Sequence, residues 1–362
     1  MSRDADVVVV GAGPVGLAAA VRAREAGLEV LVTDRRAGVL GGGLDKACGE
    51  GLLPGALQAV RALGVDPPGH ALAGISYRAA GRHADHRFAR GAGRGVRRTA
   101  LHEALAARAA EAGAQVLHAR VSALRQDAAG VEVDVSGGGT LRAGWVLGCD
   151  GLHSTVRRLA GLEPGPAGRP RRAGAARQAR YGLRRHVRVA PWSDLVEVHW
   201  SPRVEAYVTP VGDDCVGVAL LGPGQALRSG GFDELLRAEL PELGERLAGA
   251  PAAGALLGAG PLRRRSRRRT AGRVRLVGDA SGYVDALTGE GIRVGLAQAD
   301  AAVRHLDDAA AYERAWRAAT RDYRTLTTGL LAWAASPARG AIVPAAVRAP
   351  WLYGAVVERL AR

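Results

Sequence analysis

The stretch that decides the fold of this chain is Val7-Val8-Val9-Val10-Gly11-Ala12-Gly13-Pro14-Val15-Gly16. Four consecutive β-branched apolar residues predict a strand that is buried on both faces, as in a parallel sheet. A helical pattern follows to Ala26, and residues 29–33 predict a second strand that ends at Asp34. Asp34 stands roughly 20 residues after the glycines, where the ribose of a dinucleotide needs a hydrogen-bond acceptor. The stretch therefore predicts a nucleotide-binding βαβ unit, and Asp34 favours an unphosphorylated ribose, as in FAD or NAD.

Each glycine of this GxGxxG pattern has its own predicted role. Gly11 allows the tight turn, Gly13 lets the backbone approach a pyrophosphate, and Gly16 lets the helix pack against the strand. Pro14 and Val15 begin the helix, whose N-terminal amides and positive dipole end point at the phosphates. Glycine-rich turns also occur without a ligand. Here, however, strand, turn, helix, strand and acid follow in the order that a nucleotide site requires.

The composition argues against a nucleic-acid-binding protein. The chain has 362 residues, a formal charge of +15 and an arginine-rich run at residues 263–269. No aromatic residue interleaves with that run, so the stacking platforms of a single-strand binder are missing. Lys46 is the only lysine and asparagine is absent, which indicates a bias in residue usage over the whole chain. We therefore predict no specific nucleic-acid partner, although the charge suits anionic surfaces at low salt.

The sequence predicts a cytoplasmic protein without a metal site. No apolar run is long enough to span a bilayer, and the first residues lack the apolar core of a signal peptide. The three cysteines are scattered without a CxxC pair, so neither a disulfide framework nor a zinc site is indicated. Residues 83–86 contain two histidines and an aspartate, and we interpret them as a solvated loop rather than a metal site.

Two later turns repeat the combination of glycine and acid. An alternating β-meander leads to Gly148-Cys149-Asp150-Gly151, and a buried strand at residues 273–277 leads to Gly278-Asp279. An acid that follows a buried strand lies at the carboxyl end of the sheet, where phosphate and ribose groups bind. A further turn, residues 289–292, opens a helix whose N-terminus suits a developing negative charge.

A different architecture is predicted in the second half. Residues 181–189, 195–200, 204–211 and 215–221 read as antiparallel strands that suit the wall of a substrate cavity. Residues 161–180 read as a linker, and a helix is predicted at residues 232–247.

In the tail, residues 312–362, the sequence pattern predicts amphipathic helices that are broken at Pro337, Pro344 and Pro350. Its large aromatic residues either pack in the core, which we favour, or form an apolar surface for a partner or a bilayer. These residues are Trp316, Trp333, Trp351 and Tyr353.

The three turns in this order resemble the flavoprotein family of para-hydroxybenzoate hydroxylase-type monooxygenases and geranylgeranyl reductases. The resemblance spans residues 7 to about 303 and implies that FAD is held end to end. Asp34 would hold the ADP half, Arg98 and Asp150 would lie at the pyrophosphate, and Asp279 would hold the ribityl region. The implied cofactor contacts are Gly11, Gly13, Pro14, Val15, Gly16, Asp34, Arg35, Arg98, Val121, Asp150, Gly278, Asp279, Gly289, Gly291 and Ile292.

The resemblance also implies the fold. It is an α/β protein with an FAD-binding Rossmann-like domain in a ββα three-layer arrangement, an inserted antiparallel-sheet substrate domain and a helical C-terminal tail. The expected boundaries are residues 1–72, 96–165 and 262–310 for the FAD-binding domain, residues 73–95 and 166–261 for the substrate domain, and residues 311–362 for the C-terminal helices.

Two segments resemble the geranylgeranyl-reductase branch of the family. Residues 46–51, KACGEG, are similar to its KxCGxG segment beside the flavin, and residues 206–212 are similar to its YxWxFPxG segment. The hydroxylase branch carries a histidine and a proline after its GD motif, where this chain has Gly282 and Ala286. The candidate catalytic residues are Lys46, Cys48, Glu50 and Tyr207. Lys46 would neutralise an acidic substrate and Tyr207 would position a proton. The alternative is that Lys46 only forms a salt bridge and that Tyr207 only packs in the sheet.

The reaction stays open at this point. NAD(P)H is expected as a transient reductant of FAD, because no second dinucleotide fold is present. The reduced flavin would support hydroxylation of an apolar or aromatic small molecule such as a polyketide or quinone, which we favour, or reduce a carbon–carbon double bond. The non-enzymatic alternative is a basic protein that binds nucleic acid or a membrane surface.

Overall fold

The first sheet is built around the valine run. The computed structural model describes residues 3–38, 43–164, 179–228 and 230–362. Strand β1 (Ala5–Val10) lies between β2 (Val30–Asp34) and β11 (Thr140–Gly148) and is parallel to both. Parallel strands β8 (Gln115–His118) and β18 (Val274–Leu276) extend the sheet on either side, and β17 (Thr270–Ala271) pairs antiparallel at its edge. Because the parallel strands share a direction, their carboxyl ends bring the three predicted turns to one edge of the sheet.

Both faces of β1 are buried, as predicted. Val7 and Val9 pack against a layer of helices, whereas Val8 and Val10 pack against a β-meander on the opposite face. The helices are α1 (Pro14–Glu25), α2 (Pro54–Arg61), α3 (Arg98–Glu111) and α8 (Gly291–Arg304), and the meander adds β9 (Val121–Gln126) and β10 (Val131–Val135) to β11. This is the three-layer arrangement that the sequence predicted.

The second sheet is antiparallel apart from one parallel pair. Its order is β16-β12-β15-β14-β13-β5-β6, with β13 parallel to β5. The strands are β5 (Gly74–Ala79), β6 (Arg82–Arg87), β12 (Arg180–Arg188), β13 (Leu195–Trp200), β14 (Glu205–Gly212), β15 (Cys215–Pro223) and β16 (Leu257–Ala259). A small sheet of β3 (Gly51–Leu52), β4 (His70–Leu72) and β7 (Gly93–Gly95) lies beside it. The inserted antiparallel sheet is therefore confirmed, while the exact domain boundaries stay a prediction.

Two local predictions in this region were wrong. The helix predicted at residues 232–247 consists of α6 (Phe232–Glu239) and α7 (Pro241–Arg246), because Pro241 pushes Leu240 out of the helical conformation. Residues 83–86 lie in β6 rather than in a loop, and His86 contacts Glu358 at 2.9 Å. Short helices α4 (Thr155–Leu159) and α5 (Gly224–Leu227) complete the middle of the chain. Most of the predicted linker, residues 165–178, lies outside the described residues.

The tail consists of α9 (Ala309–Ala334), a 3₁₀ turn (Pro337–Ala341), α10 (Ile342–Arg348) and α11 (Pro350–Ala361). Pro337 and Pro350 mark breaks as predicted. Pro344 does not, because it occupies the first turn of α10, where a backbone N–H has no helical acceptor to lose. No single described helix is long and apolar enough to cross a membrane. The pair Ala309–Ala334 and Pro337–Arg348 meets that test only as a bent unit with an angle of 105°.

The aromatic residues of the tail divide between core and surface. Trp316 and Tyr353 are buried, as the core interpretation predicted. For Trp333 and Trp351 that interpretation was wrong, since they are 37% and 75% exposed. The tail is also bound to the second sheet by charge, because Arg339 contacts Glu205 at 2.8 Å and Glu205 contacts Arg180 at 2.7 Å.

Candidate functional site

The first glycine turn is built so that only glycine fits at two of its positions. Gly11 has a φ of +102°, and a Cβ there would lie 2.7 Å from the carbonyl oxygen of Cys149. At Gly16 a Cβ would lie 1.8 Å from the carbonyl oxygen of Gly11, so the helix rests directly on the turn. Gly13 differs, since the nearest atom to its Cβ position is Nη2 of Arg98 at 3.8 Å. The backbone at Gly13 therefore faces open space and a guanidinium group.

Asp34 is held as an ionised carboxylate at the end of β2. Its Oδ2 accepts a hydrogen bond from the backbone N–H of Ala12 at 2.9 Å. Its Oδ1 accepts from the backbone N–H and the Nε of Arg36, both at 3.0 Å. Burial raises the pKa of Asp34, but the hydrogen bonds outweigh it and the net pKa is lowered. An acceptor fixed beside the first turn fits the ribose of the predicted ligand.

Arg98 supplies a partly buried cation that forms no ion pair with the residues that the structure describes. It is the first residue of α3, and its backbone N–H donates to Oε1 of Glu50 at 2.7 Å. Within the described chain its guanidinium has no acidic partner, and the buried Nε has no hydrogen-bond partner. Burial lowers the pKa of Arg98, which shows the cost of placing this charge here. A partly buried cation that faces Gly13 fits an anionic pyrophosphate.

Asp150 borders the cavity beside Gly13, but its carboxylate is bound to the start of the helix that follows it. It accepts hydrogen bonds from the backbone N–H groups of Thr155 at 2.6 Å and Val156 at 3.1 Å, and from the hydroxyl of Ser154. These groups form the start of α4. Burial is the largest influence on Asp150 and raises its pKa. Asp150 thus shapes the turn after β11 by fixing the helix that follows it.

The third turn presents Asp279 and the N-terminus of α8. Gly278 has a φ of +64°, and its N–H donates to Oε1 of Gln298 at 2.7 Å. The carboxylate of Asp279 lies 3.8 Å from Nζ of Lys46. Gly289 has a φ of +70° with no atom within 4 Å of its Cβ position, so the approach to α8 is open. These features fit the ribityl and pyrimidine contacts expected from the sequence.

The three turns border one cavity of about 550 Å³. Gly13, Asp150 and Asp279 all line it, which is the convergence that an extended dinucleotide requires. Gly16 packs behind the turn and does not line it. The other predicted cofactor residues and the four candidate catalytic residues do. The donors, the acceptor and the unpaired cation along this groove fit FAD.

The loop of residues 45–50 is fixed by the second sheet. Glu50 has a φ of +60°, and its Oε2 lies 2.6 Å from Nε2 of His186. Arg184 contacts the carboxylate of Asp45 and donates to the carbonyl oxygen of Lys46 at 3.1 Å. The carboxylate of Glu50 is thus engaged in positioning the loop, whereas Lys46 and Cys48 are partly exposed to the cavity. The sequence analysis missed Arg184 and His186, although their alternate positions in one strand place them on the same face.

Tyr207 connects the second sheet to the third turn. Its hydroxyl donates to the carbonyl oxygen of Leu287 at 2.7 Å. Burial raises the pKa of Tyr207 well above its usual range, so the hydroxyl stays neutral. The hydrogen bond gives Tyr207 a positioning role, because it holds the loop that precedes α8.

One part of the cavity lining is apolar, and we name this part the arm. Its walls come from β5, β13 and α11, together with the residue before α2. Within the described residues no three His, Cys, Asp or Glu side chains are grouped to hold a metal ion, and all three cysteines are free. The arm is defined by Leu53, Ile75, Tyr77, Val196, Val198, Val356, Val357 and Leu360.

Comparisons with known proteins agree with this site. A family model described as an FAD binding domain matches residues 4–176. Digeranylgeranylglycerophospholipid reductase 1 of Methanopyrus kandleri is 35% identical over 312 residues, which cover 80% of this chain and 77% of the relative. Rifampicin monooxygenase of Rhodococcus hoagii is 37% identical over 174 residues, 45% of this chain and 35% of the relative.

The fold also matches solved flavoproteins. A flavoprotein/dehydrogenase from Cytophaga hutchinsonii superposes with a TM-score of 0.78 at 19% identity, covering 98% of this chain and 92% of the other. The chain belongs to the family of FAD-dependent oxidoreductases that includes the geranylgeranyl reductases and the flavin monooxygenases. It is an FAD-dependent enzyme, as the sequence predicted, and the non-enzymatic alternative is set aside.

Proposed function

We propose that this enzyme takes electrons from NAD(P)H through FAD and reduces a carbon–carbon double bond in an elongated apolar molecule. The observation that carries the proposal is the apolar arm, which shares one cavity with the flavin-binding turns and whose defining residues carry no charge. Bound FAD would supply a hydride for one alkene carbon, and a proton would reach the other. The similarity to a digeranylgeranylglycerophospholipid reductase over 80% of the chain supports this choice.

The residues at the junction of the turns and the arm would then orient the reactants. Lys46 and Asp279 lie 3.8 Å apart and would fix the ribityl side of FAD. Cys48 lies two residues further along the same loop, where its thiol is partly exposed and faces the cavity. The apolar walls of the arm would exclude water from the reacting carbons, which strengthens every polar interaction in the site.

Hydroxylation of an apolar or aromatic small molecule is the second candidate. Its support is the similarity of part of the chain to rifampicin monooxygenase and to 12-dehydrotetracycline 5-monooxygenase/anhydrotetracycline 6-monooxygenase of Streptomyces rimosus, at 37% and 35% identity. These two matches cover 45% and 44% of this chain, whereas the match to the reductase covers 80%. The second candidate differs from the first in its need for molecular oxygen.

We propose that the enzyme takes its apolar substrate from the surface of an anionic membrane. Val347, Trp351 and Leu352 are 44%, 75% and 50% exposed at the corner between α10 and α11. Helix α11 also contributes Val357 and Leu360 to the arm. The exposed Arg348 at this corner suits anionic headgroups. The proposal places the enzyme in the cytoplasm, where NAD(P)H is supplied, and assigns it no nucleic-acid partner.

The test is turnover with and without oxygen. FAD-loaded protein is reduced with NADPH in an oxygen-free chamber and mixed with geranylgeraniol. The molecular masses of the products are then measured by mass spectrometry. A mass gain of two hydrogens per reduced bond, without oxygen, is expected. A product that gains one oxygen atom, and forms only in air, would select the second candidate and overturn the first.

A further inference from the structure

Two tyrosines face the cavity from the same row of the second sheet. Tyr77 in β5 stands in register with Val198 in β13, and Val198 stands in register with Tyr207 in β14. Side chains in register on adjacent strands point to the same face. Because neighbouring strands lie about 4.8 Å apart, Tyr77 is roughly 10 Å from Tyr207 across the sheet. Tyr207 is bound to Leu287 in the loop before α8, and Tyr77 lies two strands away from it.

The hydroxyl groups of these two tyrosines differ. Tyr207 donates to the carbonyl oxygen of Leu287, whereas Tyr77 forms no hydrogen bond with any residue that the structure describes. The ring of Tyr77 is held firmly, since its centroid lies 5.5 Å from that of Trp200 and 5.0 Å from that of Tyr353. Tyr353 in turn donates its own hydroxyl hydrogen to the carbonyl oxygen of Ile75. Tyr77 is therefore the member of this aromatic group whose hydroxyl lacks a protein partner while its side chain borders the arm.

An unpaired phenol in apolar surroundings calls for an explanation. The side chain of Tyr77 is partly buried and borders the cavity, so its hydroxyl is open to a ligand, whereas a phenylalanine would fill the same space without offering a donor. Burial, together with the negative charge of Glu205, raises the pKa of Tyr77, so the group stays a neutral donor. Its neighbours along the arm, Ile75, Val196 and Val198, offer side chains without acceptor atoms. A ligand that fills the arm therefore has to supply an acceptor if the hydroxyl of Tyr77 is to remain hydrogen-bonded.

We propose that the hydroxyl of Tyr77 donates a hydrogen bond to an oxygen atom of the substrate, roughly 10 Å along the arm from Tyr207. The inference rests on the proposed function, and it narrows the substrate class. The substrate is an elongated apolar molecule that carries a hydroxyl, carbonyl or ether oxygen, rather than a pure hydrocarbon. Tyr77 is a specificity residue, since it recognises this oxygen and takes no part in the flavin chemistry.

The test compares two probes that differ by this oxygen. Farnesol carries a hydroxyl on a polyprenyl chain, and farnesene is its hydrocarbon counterpart. The dissociation constant of each is measured by quenching of flavin and tryptophan fluorescence in FAD-loaded wild-type, Tyr77→Phe and Tyr353→Phe proteins. Tyr353→Phe is the matched control. It removes a hydroxyl from the same aromatic group, but Tyr353 does not border the arm.

Three outcomes are distinguishable. The inference expects Tyr77→Phe to weaken farnesol binding roughly three- to tenfold, the value of one neutral hydrogen bond, and to leave farnesene binding unchanged. If both probes bind and Tyr77→Phe affects both equally or neither, the role of Tyr77 is overturned while the proposed function stands. If neither probe binds the wild-type protein, the apolar substrate itself is refuted, and the role of Tyr77 with it.

Discussion

Oε2 of Glu50 lies 2.6 Å from Nε2 of His186, and both side chains are almost completely buried. Glu50 belongs to the loop beside the flavin groove, and His186 belongs to β12 of the second sheet. A third buried group, Arg184, lies 3.9 Å from Oε1 of Glu50. This contact between distant parts of the chain is the means by which the second sheet determines the conformation of the loop that carries Lys46 and Cys48.

Removal of the Glu50 carboxylate is expected to destabilise the fold. Glu50→Ala leaves the buried His186 ring without its partner and removes a negative charge 3.9 Å from the buried Arg184 guanidinium, so the free energy of unfolding should fall by about 3–5 kcal/mol. Urea denaturation measures the change. Glu242→Ala, in the exposed first turn of α7, is the control and should change stability by less than about 1 kcal/mol. A loss at Glu50 no larger than at Glu242 would contradict the positioning role.

Gly13→Val should separate folding from cofactor binding. The residue has φ −72° and ψ 172°, and its Cβ position lies 3.8 Å from the nearest atom, so the variant should fold. A side chain there would project toward the expected pyrophosphate, and the purified protein should be colourless. The flavin absorbance band and the urea midpoint are measured together. Gly16→Ala is the comparison, because its methyl group would collide with the carbonyl oxygen of Gly11 and should impair folding itself.

Arg98→Met should weaken FAD binding while leaving the FAD-free protein equally stable or more stable. The side chain is partly buried, its buried Nε has no hydrogen-bond partner, and it forms no ion pair among the described residues, so its removal relieves a desolvation cost. Loss of a charge-assisted contact should raise the dissociation constant of FAD roughly tenfold or more. Titration of the FAD-free protein with FAD measures the dissociation constant, and thermal unfolding of the FAD-free protein measures its stability. An FAD-free variant that is clearly less stable would show that Arg98 has a structural partner instead.

The carboxyl of Asp34 gives a prediction for pH. Its pKa in the folded protein lies below the ordinary value of 3.8, so the stabilisation it provides is complete above pH 3.8. That stabilisation is lost as the pH falls through the lower folded pKa. The difference in unfolding free energy between wild type and Asp34→Asn should therefore be constant from pH 5 to 8 and shrink below about pH 4. Urea titrations of the FAD-free proteins at several pH values measure it, and a difference that shrinks already near pH 6 would assign the effect to another group.

Trp351→Ala should reduce binding to anionic vesicles. Trp351 is 75% exposed at the corner proposed to meet the membrane, and an exposed indole suits the interface between headgroups and acyl chains. Sedimentation with vesicles that contain phosphatidylglycerol measures the bound fraction at two salt concentrations. Leu256→Ala, another exposed apolar residue at 47%, lies next to β16 and is the matched control. Equal binding by both variants and wild type would remove the membrane from the proposal.

The elements that were predicted well are those whose signals are local. The valine run, the glycine spacing and Asp34 lie within 30 residues of one another, and each has a backbone reason for its position. The two later turns were found because the carboxyl ends of parallel strands share an edge. Two of the errors were also local, since Pro241 separates two helices whereas Pro344 fits within the first turn of one, and only the register of the helix decides which occurs.

The features that were missed depend on pairing between distant strands. Glu50 and His186 are 136 positions apart, and nothing near either residue indicates the other. Tyr77 gained significance only when the parallel pairing of β5 with β13 placed it in one row with Tyr207. Periodicity shows which residues share a face, but it does not show which strand lies alongside.

Glu205 forms ion pairs with Arg339 of the tail at 2.8 Å and with Arg180 at 2.7 Å, and its side chain is wholly buried. A chain shortened before Arg339 would lose a cation from this junction and, with α11, the far wall of the arm. Shortened forms should therefore not be treated as minimal catalytic units. The last fifty residues are as much a part of the enzyme's interior as the glycine turn at its beginning.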